Sequence, residues 1–208
     1  MKKTLPFVIT ISRQLGSGGT YVGQQLAKNL NIFYADREII RQAAKKLSIL
    51  EEALESRDGK IISFWQSFFN LCTFAADPYI PPQSIMEPTD RELFKVEAEI
   101  IERIAKERSA VIIGRCGYHI LCEHPSHINI FLHGDIAFRI GRIQKLYNVS
   151  EEVAGKMIFQ NDKERAYYNY KFTGKEWTDA RQFDLSIDTC KIGLDESVEL
   201  ILKYLALT

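Results

Sequence analysis

The sequence predicts an α/β fold: one domain over residues 1–208, a three-layer sandwich with a five-stranded parallel sheet and helices on both faces. Three observations predict it. Short apolar stretches rich in β-branched residues alternate with longer stretches whose apolar residues recur at helical spacing. One short stretch, AVIIG at 110–114, is apolar throughout, as a central strand covered on both faces would be. A glycine-rich loop, GSGG at 16–19, falls where the first strand hands over to the first helix.

That junction comes first in the chain. Phe7 to Ile11 read as a buried strand, and Ser12, Arg13, Gln14 and the glycines follow as loop. Val22, Leu26, Ala27 and Leu30 then mark the apolar face of a helix. Free N–H groups of a first helical turn and the helix dipole favour an anion, and glycine lets the backbone close on a phosphate. Against the P-loop pattern G-x-x-x-x-G-K-[ST], Thr20 takes the hydroxyl position and Gly18 the second glycine, while Gly19 stands where the lysine belongs and Arg13 where the first glycine belongs. Thr20 can offer its hydroxyl to Mg2+, and Arg13 can return the missing positive charge with a forked geometry. A dinucleotide site fails on spacing, because Tyr21 stands where the third glycine should be. An ordinary glycine-rich turn stays open beside phosphate binding.

The later elements follow in order. Ile32 to Tyr34 form a short strand, and Asp36 caps a helix with Ile39, Ile40, Ala43, Ala44 and Leu47 on its apolar face. Residues 48–90 break the pattern: SFWQSFFNLCTF is densely aromatic, DPYIPPQSIMEP is proline-broken loop, and the aromatics read as core more readily than as a ligand platform. Thr89 caps a long helix to about Arg108, striped by Leu93, Val96, Ile100, Ile101 and Ile104. AVIIG ends in Gly114 and Arg115, a cation at the carboxyl end of a strand, where open α/β sheets bind ligands. Arg115 is an anion ligand or one half of a structural ion pair; Cys116 beside it is a small residue in a tight loop. Cys122, His124 and His127 have metal-like spacing but no fourth partner, so CEHPSH reads as a connection.

HINIFLH is the next strand, and Asp135 starts a helix that carries Arg139 and Arg142 on neighbouring positions, with Lys145 a turn further on. Asn148 ends it. Ser150 with Glu151 and Glu152 opens another helix, on which Asp162 and Arg165 share a face. A solvated charged face and a phosphate-gathering lid both fit this run. FDLSIDT is the last strand, and residues 193–207 close the chain as an amphipathic helix.

Composition narrows the function. Lys plus Arg equal Asp plus Glu at 27 each, so broad binding to nucleic acid polymers or membrane surfaces is not expected. Cys72, Cys116, Cys122 and Cys190 are unevenly spaced, which fits a reduced, cytoplasmic protein. Lys2, Lys3 and LPFVITI are too short an apolar run for a signal peptide, and no stretch reaches membrane-spanning length. Homo-oligomerisation is left open.

The wording adds more than the motif. ITISRQLGSGGTYVGQQLAKNLNIFYADREII resembles the opening of the cytidylate kinase-like family of P-loop proteins, whose members carry S-R-Q followed by G-S-G-G. FRIGRI, D-K-E-R-A-Y-Y and G-K-x-W resemble that family's lid region. The resemblance implies a P-loop NTPase-type fold like that of nucleoside monophosphate kinases, with an inserted acceptor-binding lobe at 48–90 and a helical lid at 139–181. It implies a transferase that moves the γ-phosphoryl of ATP, with Mg2+, to a nucleotide acceptor such as CMP or dCMP. Gly16, Ser17, Gly18, Gly19 and Thr20 would bind the ATP phosphates, Arg13, Arg139 and Arg142 would act on the transferring group, and Asp36, Arg115, Asp162 and Arg165 would hold the acceptor. Beside it stand a kinase for another small acceptor, a nucleotide-binding regulator without turnover and, most remotely, a dehydrogenase.

Overall fold

The structure, a computed structural model, describes residues 6–37, 39, 40, 43 and 90–207. Strands β1 (Val8–Arg13), β2 (Phe33–Ala35), β3 (Ala110–Ile113), β4 (His127–His133) and β5 (Leu185–Asp188) make one parallel sheet in the order β2-β3-β1-β4-β5. Among the described residues the helices include α1 (Gly19–Leu30), α2 (Asp90–Glu107), α3 (Gly117–Ile120), α4 (Ile136–Tyr147), α5 (Glu151–Thr173), α6 (Thr189–Ile192) and α7 (Leu194–Leu207). The helix expected beyond Ala43, the Thr89 cap and the aromatic insertion lie outside the described residues, as does all of 48–90 but Asp90.

Strand periodicity builds the three layers. Val8, Ala110 and Ile112 face one way and pack with Ile100, Ile101 and Ile104 of α2. Ile9, Ile11, Val111 and Ile113 face the other and pack with Val22 and Leu26 of α1 and Val198 and Ile201 of α7. Each fully buried isoleucine contributes about 1.5–3 kcal/mol, so the sheet and its two covers account for the fold. A third cluster, Ile143, Ala154 and Ile158 with Leu15 and Met157, joins α4 to α5 and to the loop after β1. Among the described residues no helix is long and apolar enough to cross a membrane.

β1 runs two residues further than its apolar pattern implies. Ser12 pairs with Phe131 and Arg13 with Leu132, because β4 is long enough to carry the ladder on. Arg13 is therefore the last residue of a central strand, held in register on one side, and its side chain starts from a fixed point. The four-residue helices α3 and α6 are too short for their periodicity to show in sequence. Parallel strands place the loops after β1, β2 and β3 on one edge, as expected.

Candidate active site at the carboxyl edge of the sheet

The loop from β1 to α1 is built from backbone. Gly16 (φ +84°) and Gly18 (φ +85°) take left-handed conformations that cost other residues about 1–2 kcal/mol. Gly18 is the N-cap of α1, no side chain caps that end, and no acid stands in the first turn. Such a terminus carries unclaimed N–H groups and a partial positive charge. Thr20, half-buried, sits in the same turn. Ser17 points away: its hydroxyl is buried and donates to the carbonyls of Gln14 and Leu132 at 2.9 and 3.1 Å. Its hydroxyl thus braces the loop. Thr189 braces the loop from beneath, donating from Oγ1 to the Ser17 carbonyl at 2.9 Å.

Arg13 crosses this loop. A Cβ on Gly19 would stand 2.6 Å from Arg13 Cγ, and one on Gly114 would overlap Arg13 Nη1. The arginine stem lies over the position where a full P-loop pattern has its lysine, and the guanidinium reaches the end of β3.

The helix α5 docks on this edge through one row of residues. Asp162 Oδ1 accepts from the Leu15 N–H at 2.8 Å, and Asp162 Oδ2 pairs with Arg139 Nη1 at 2.6 Å. Arg139 also donates to the Leu15 carbonyl at 3.3 Å. One turn on, Arg165 Nη1 donates to the Arg13 carbonyl at 2.7 Å. Asn169 Oδ1 accepts from the Tyr118 hydroxyl at 3.0 Å. Asp162 and Arg165, which share a face as expected, thus clamp the start of the loop at Leu15 and Arg13, and Arg139 is a buried partner of Asp162. Arg142 differs. Its guanidinium lies 5.8 Å from the Phe138 ring, burial alone lowers its pKa, and its Nε, like those of Arg139 and Arg115, is buried without a hydrogen-bond partner.

The end of β3 is the most strained part of the edge. Gly114, Arg115 and Cys116 have φ of +76°, +53° and +54° in succession. Arg115 realises its ion-pair reading: Nη2 lies 3.1 Å from Glu97 Oε1, with side-chain exposures of 8% and 1%. Tyr168 of α5 donates its hydroxyl to the other Glu97 oxygen at 3.1 Å, and the Arg115 guanidinium lies 5.1 Å from its ring. Burial opposes the Arg115 charge, but Tyr168 and Glu97 outweigh it and raise its pKa. Burial pushes the Cys116 thiol up to about 12, so it is no reactive thiolate, and pushes the Tyr168 phenol up as well.

Asp36 follows β2 as the expected cap: Oδ1 accepts from the Ile39 N–H at 3.0 Å and its carbonyl from Ile40. His127 and His124 are turned to other tasks than a shared ligand. His127 Nε2 lies 2.7 Å from Thr10 Oγ1 at the opposite edge of the sheet, and His124 Nδ1 accepts from the Ser126 N–H. Trp177 is buried edge-on against Phe131 at 5.6 Å. Lys145, Lys171 and Lys175 are exposed.

With this geometry in place, a family model described as cytidylate kinase-like matches residues 8–191, the whole sheet with α1 to α5 and all but the last residue of α6. The chain belongs to the cytidylate kinase-like family. A relative named cytidylate kinase, from Sulfurisphaera tokodaii, is 26% identical over 201 residues, covering 95% of this chain and 94% of its own. A solved structure of an uncharacterized protein from Eubacterium ventriosum is 25% identical with a TM-score of 0.72, covering 96% and 98% of the two chains. A shikimate kinase structure from Bacteroides thetaiotaomicron shares the fold at 15% identity and a TM-score of 0.51, covering 96% and 98%. The cytidylate kinase-like assignment and these folds agree with the P-loop kinase architecture expected from the sequence.

Three residues of this edge were missed in sequence: Glu97, Tyr168 and Thr189. Glu97 had a readable signal. It stands four residues from both Leu93 and Ile101 on the buried stripe of α2, where a lone carboxylate calls for a buried cation.

Proposed function

We propose that this protein is an ATP-dependent kinase that transfers the γ-phosphoryl group of ATP to a nucleoside monophosphate, CMP or dCMP foremost. The observation that carries the reading is the loop between β1 and α1: two glycines at positive φ, an uncapped helix N-terminus, and an arginine laid across it. Family membership supports the same chemistry. Phosphoryl transfer breaks the bond from the γ-phosphorus to the bridging oxygen and forms one to an acceptor phosphate oxygen, so no side-chain base is needed. The protein's tasks are positioning and charge.

In this reading Gly16, Gly18, Gly19 and the first turn of α1 bind the ATP phosphates through N–H groups, and Arg13 supplies the cation. Thr20 offers one hydroxyl, which fits Mg2+, an ion that takes few protein ligands and keeps phosphate oxygens and water. Mg2+ would neutralise phosphate charge there. Arg142, with no carboxylate facing it among the described residues, serves the transferring group. Arg139 and Asp162 hold the loop and α5 together, and Arg165 fixes the backbone of Arg13. Asp36 and Arg115 stand at the acceptor side. A second reading, a nucleotide-binding regulator without turnover, is favoured by the engagement of Arg115 and Arg139 with Glu97 and Asp162.

The test is transfer from ATP and Mg2+ to CMP, dCMP, UMP, AMP and GMP with products resolved. Formation of CDP or dCDP, lost in Arg115→Ala or Arg165→Ala, is the expected result. ATP binding without any product would favour the regulator.

A further inference from the structure

Gly19 has no need of glycine on conformational grounds. It opens α1 without a positive φ, and glycine in a helix is worse than alanine. The reason lies in space: the nearest atoms to a Cβ there are Arg13 Cγ at 2.6 Å, Cβ at 3.0 Å and Cδ at 3.3 Å. Of these, Cβ is fixed with the backbone, by the strand pairing of Arg13 and by the Arg165 bond to its carbonyl, and Cγ and Cδ leave only if the whole side chain changes its χ1 rotamer and gives up its seat on Gly114. At its far end the guanidinium rests on Gly114, with Cζ 3.5 Å and Nη2 3.9 Å from the place of a Cβ.

We propose that Arg13, Gly19 and Gly114 form one unit: an arginine seated on two glycines, excluding a side chain at position 19, and serving the donor phosphates at α1 and the acceptor phosphate at the end of β3 together. The second half rests on the kinase reading above. The missing lysine and the present arginine are then one exchange. A lysine reaches the phosphates from the helix itself as a point charge, whereas this guanidinium enters from the neighbouring strand and spans both loops with its fork. Restoring the lysine without removing the arginine puts two side chains in one volume.

The experiment compares wild type, Arg13→Ala, Gly19→Lys and the double variant Arg13→Ala/Gly19→Lys. MgATP is titrated by calorimetry, and transfer to CMP is followed in parallel. Each single variant is expected to weaken MgATP binding by about tenfold or more, and the double variant to bind several-fold more tightly than either, a coupling that independent sites do not show. Gly19→Lys binding as wild type does, or a double variant no better than Arg13→Ala, overturns the shared volume. Should Gly19→Lys fail to fold, Gly19→Ala carries the test: its thermal midpoint falls in the wild-type background and rises in the Arg13→Ala background. A fall of equal size in both overturns the proposal. Arg13→Ala is also expected to raise the KM for CMP about tenfold; an unchanged KM overturns the acceptor half. Wild type that binds MgATP but phosphorylates no monophosphate overturns the kinase reading and with it the acceptor half, while the binding cycle still judges the seat. Wild type that binds no MgATP overturns both.

Discussion

The loops after β1 and β3 face the same edge but are made differently. After β1, positive φ falls on Gly16 and Gly18, and the loop is held from behind by Ser17, Thr189 and Asp162. After β3, it falls on Arg115 and Cys116 as well as on Gly114, and a buried ion pair holds the turn. The first loop is shaped by its backbone alone, so glycine suffices. The second aims one particular side chain, and so tolerates conformational strain of about 1–2 kcal/mol per residue in exchange for a fixed guanidinium.

The largest expected effect breaks the second loop. Glu97→Ala leaves Arg115 buried without its counter-charge and should destabilise the protein by about 3–5 kcal/mol in chemical denaturation. Glu97→Gln should cost less, because Tyr168 keeps its acceptor. A loss below about 1 kcal/mol for the alanine variant would mean that the pair does not hold the turn.

The starts of the strands respond to acid. Burial, partly offset by Asp184 and reinforced by His124, lowers the His127 pKa to about 4. The folded state therefore binds its proton less readily than the unfolded chain, so stability is full above about pH 6.5 and declines as pH falls toward 4. Roughly 3 kcal/mol is expected to be lost across that window, seen as a falling thermal midpoint. In His127→Asn the slope should flatten; an equally steep slope would assign the acid response elsewhere.

Smaller effects separate the loops by residue type. Gly18→Ala meets both an unfavourable φ and the Leu194 side chain, and should cost about 1–2 kcal/mol. Cys116→Gly gains conformational ease but loses a buried side chain, so a net change within about 1 kcal/mol is expected. Equal losses at both positions would remove the distinction between the loops.

Much of this architecture was readable from periodicity. The five strands, the cap at Asp36, the Asp135 and Ser150 helix starts and the end at Asn148 all follow from local chemistry. Side-chain partners were not readable in the same way. Asp162 and Arg165 share a face in any helix, but that the face meets Leu15 and the Arg13 carbonyl depends on how α5 crosses the sheet. Gly19 and Arg13 are six positions apart, and only the turn between β1 and α1 lays one across the other. That the Ser17 hydroxyl meets the Leu132 carbonyl depends likewise on how the loop packs on the sheet.

The most direct test is single-turnover transfer from γ-labelled ATP to CMP by wild type and Arg13→Ala, with thermal midpoints measured on the same samples. Labelled CDP from wild type is expected, with the rate in Arg13→Ala reduced by about a hundredfold or more and the fold retained. Undiminished transfer by a folded Arg13→Ala would contradict the role given to this arginine, and no transfer by wild type would contradict the cytidylate acceptor.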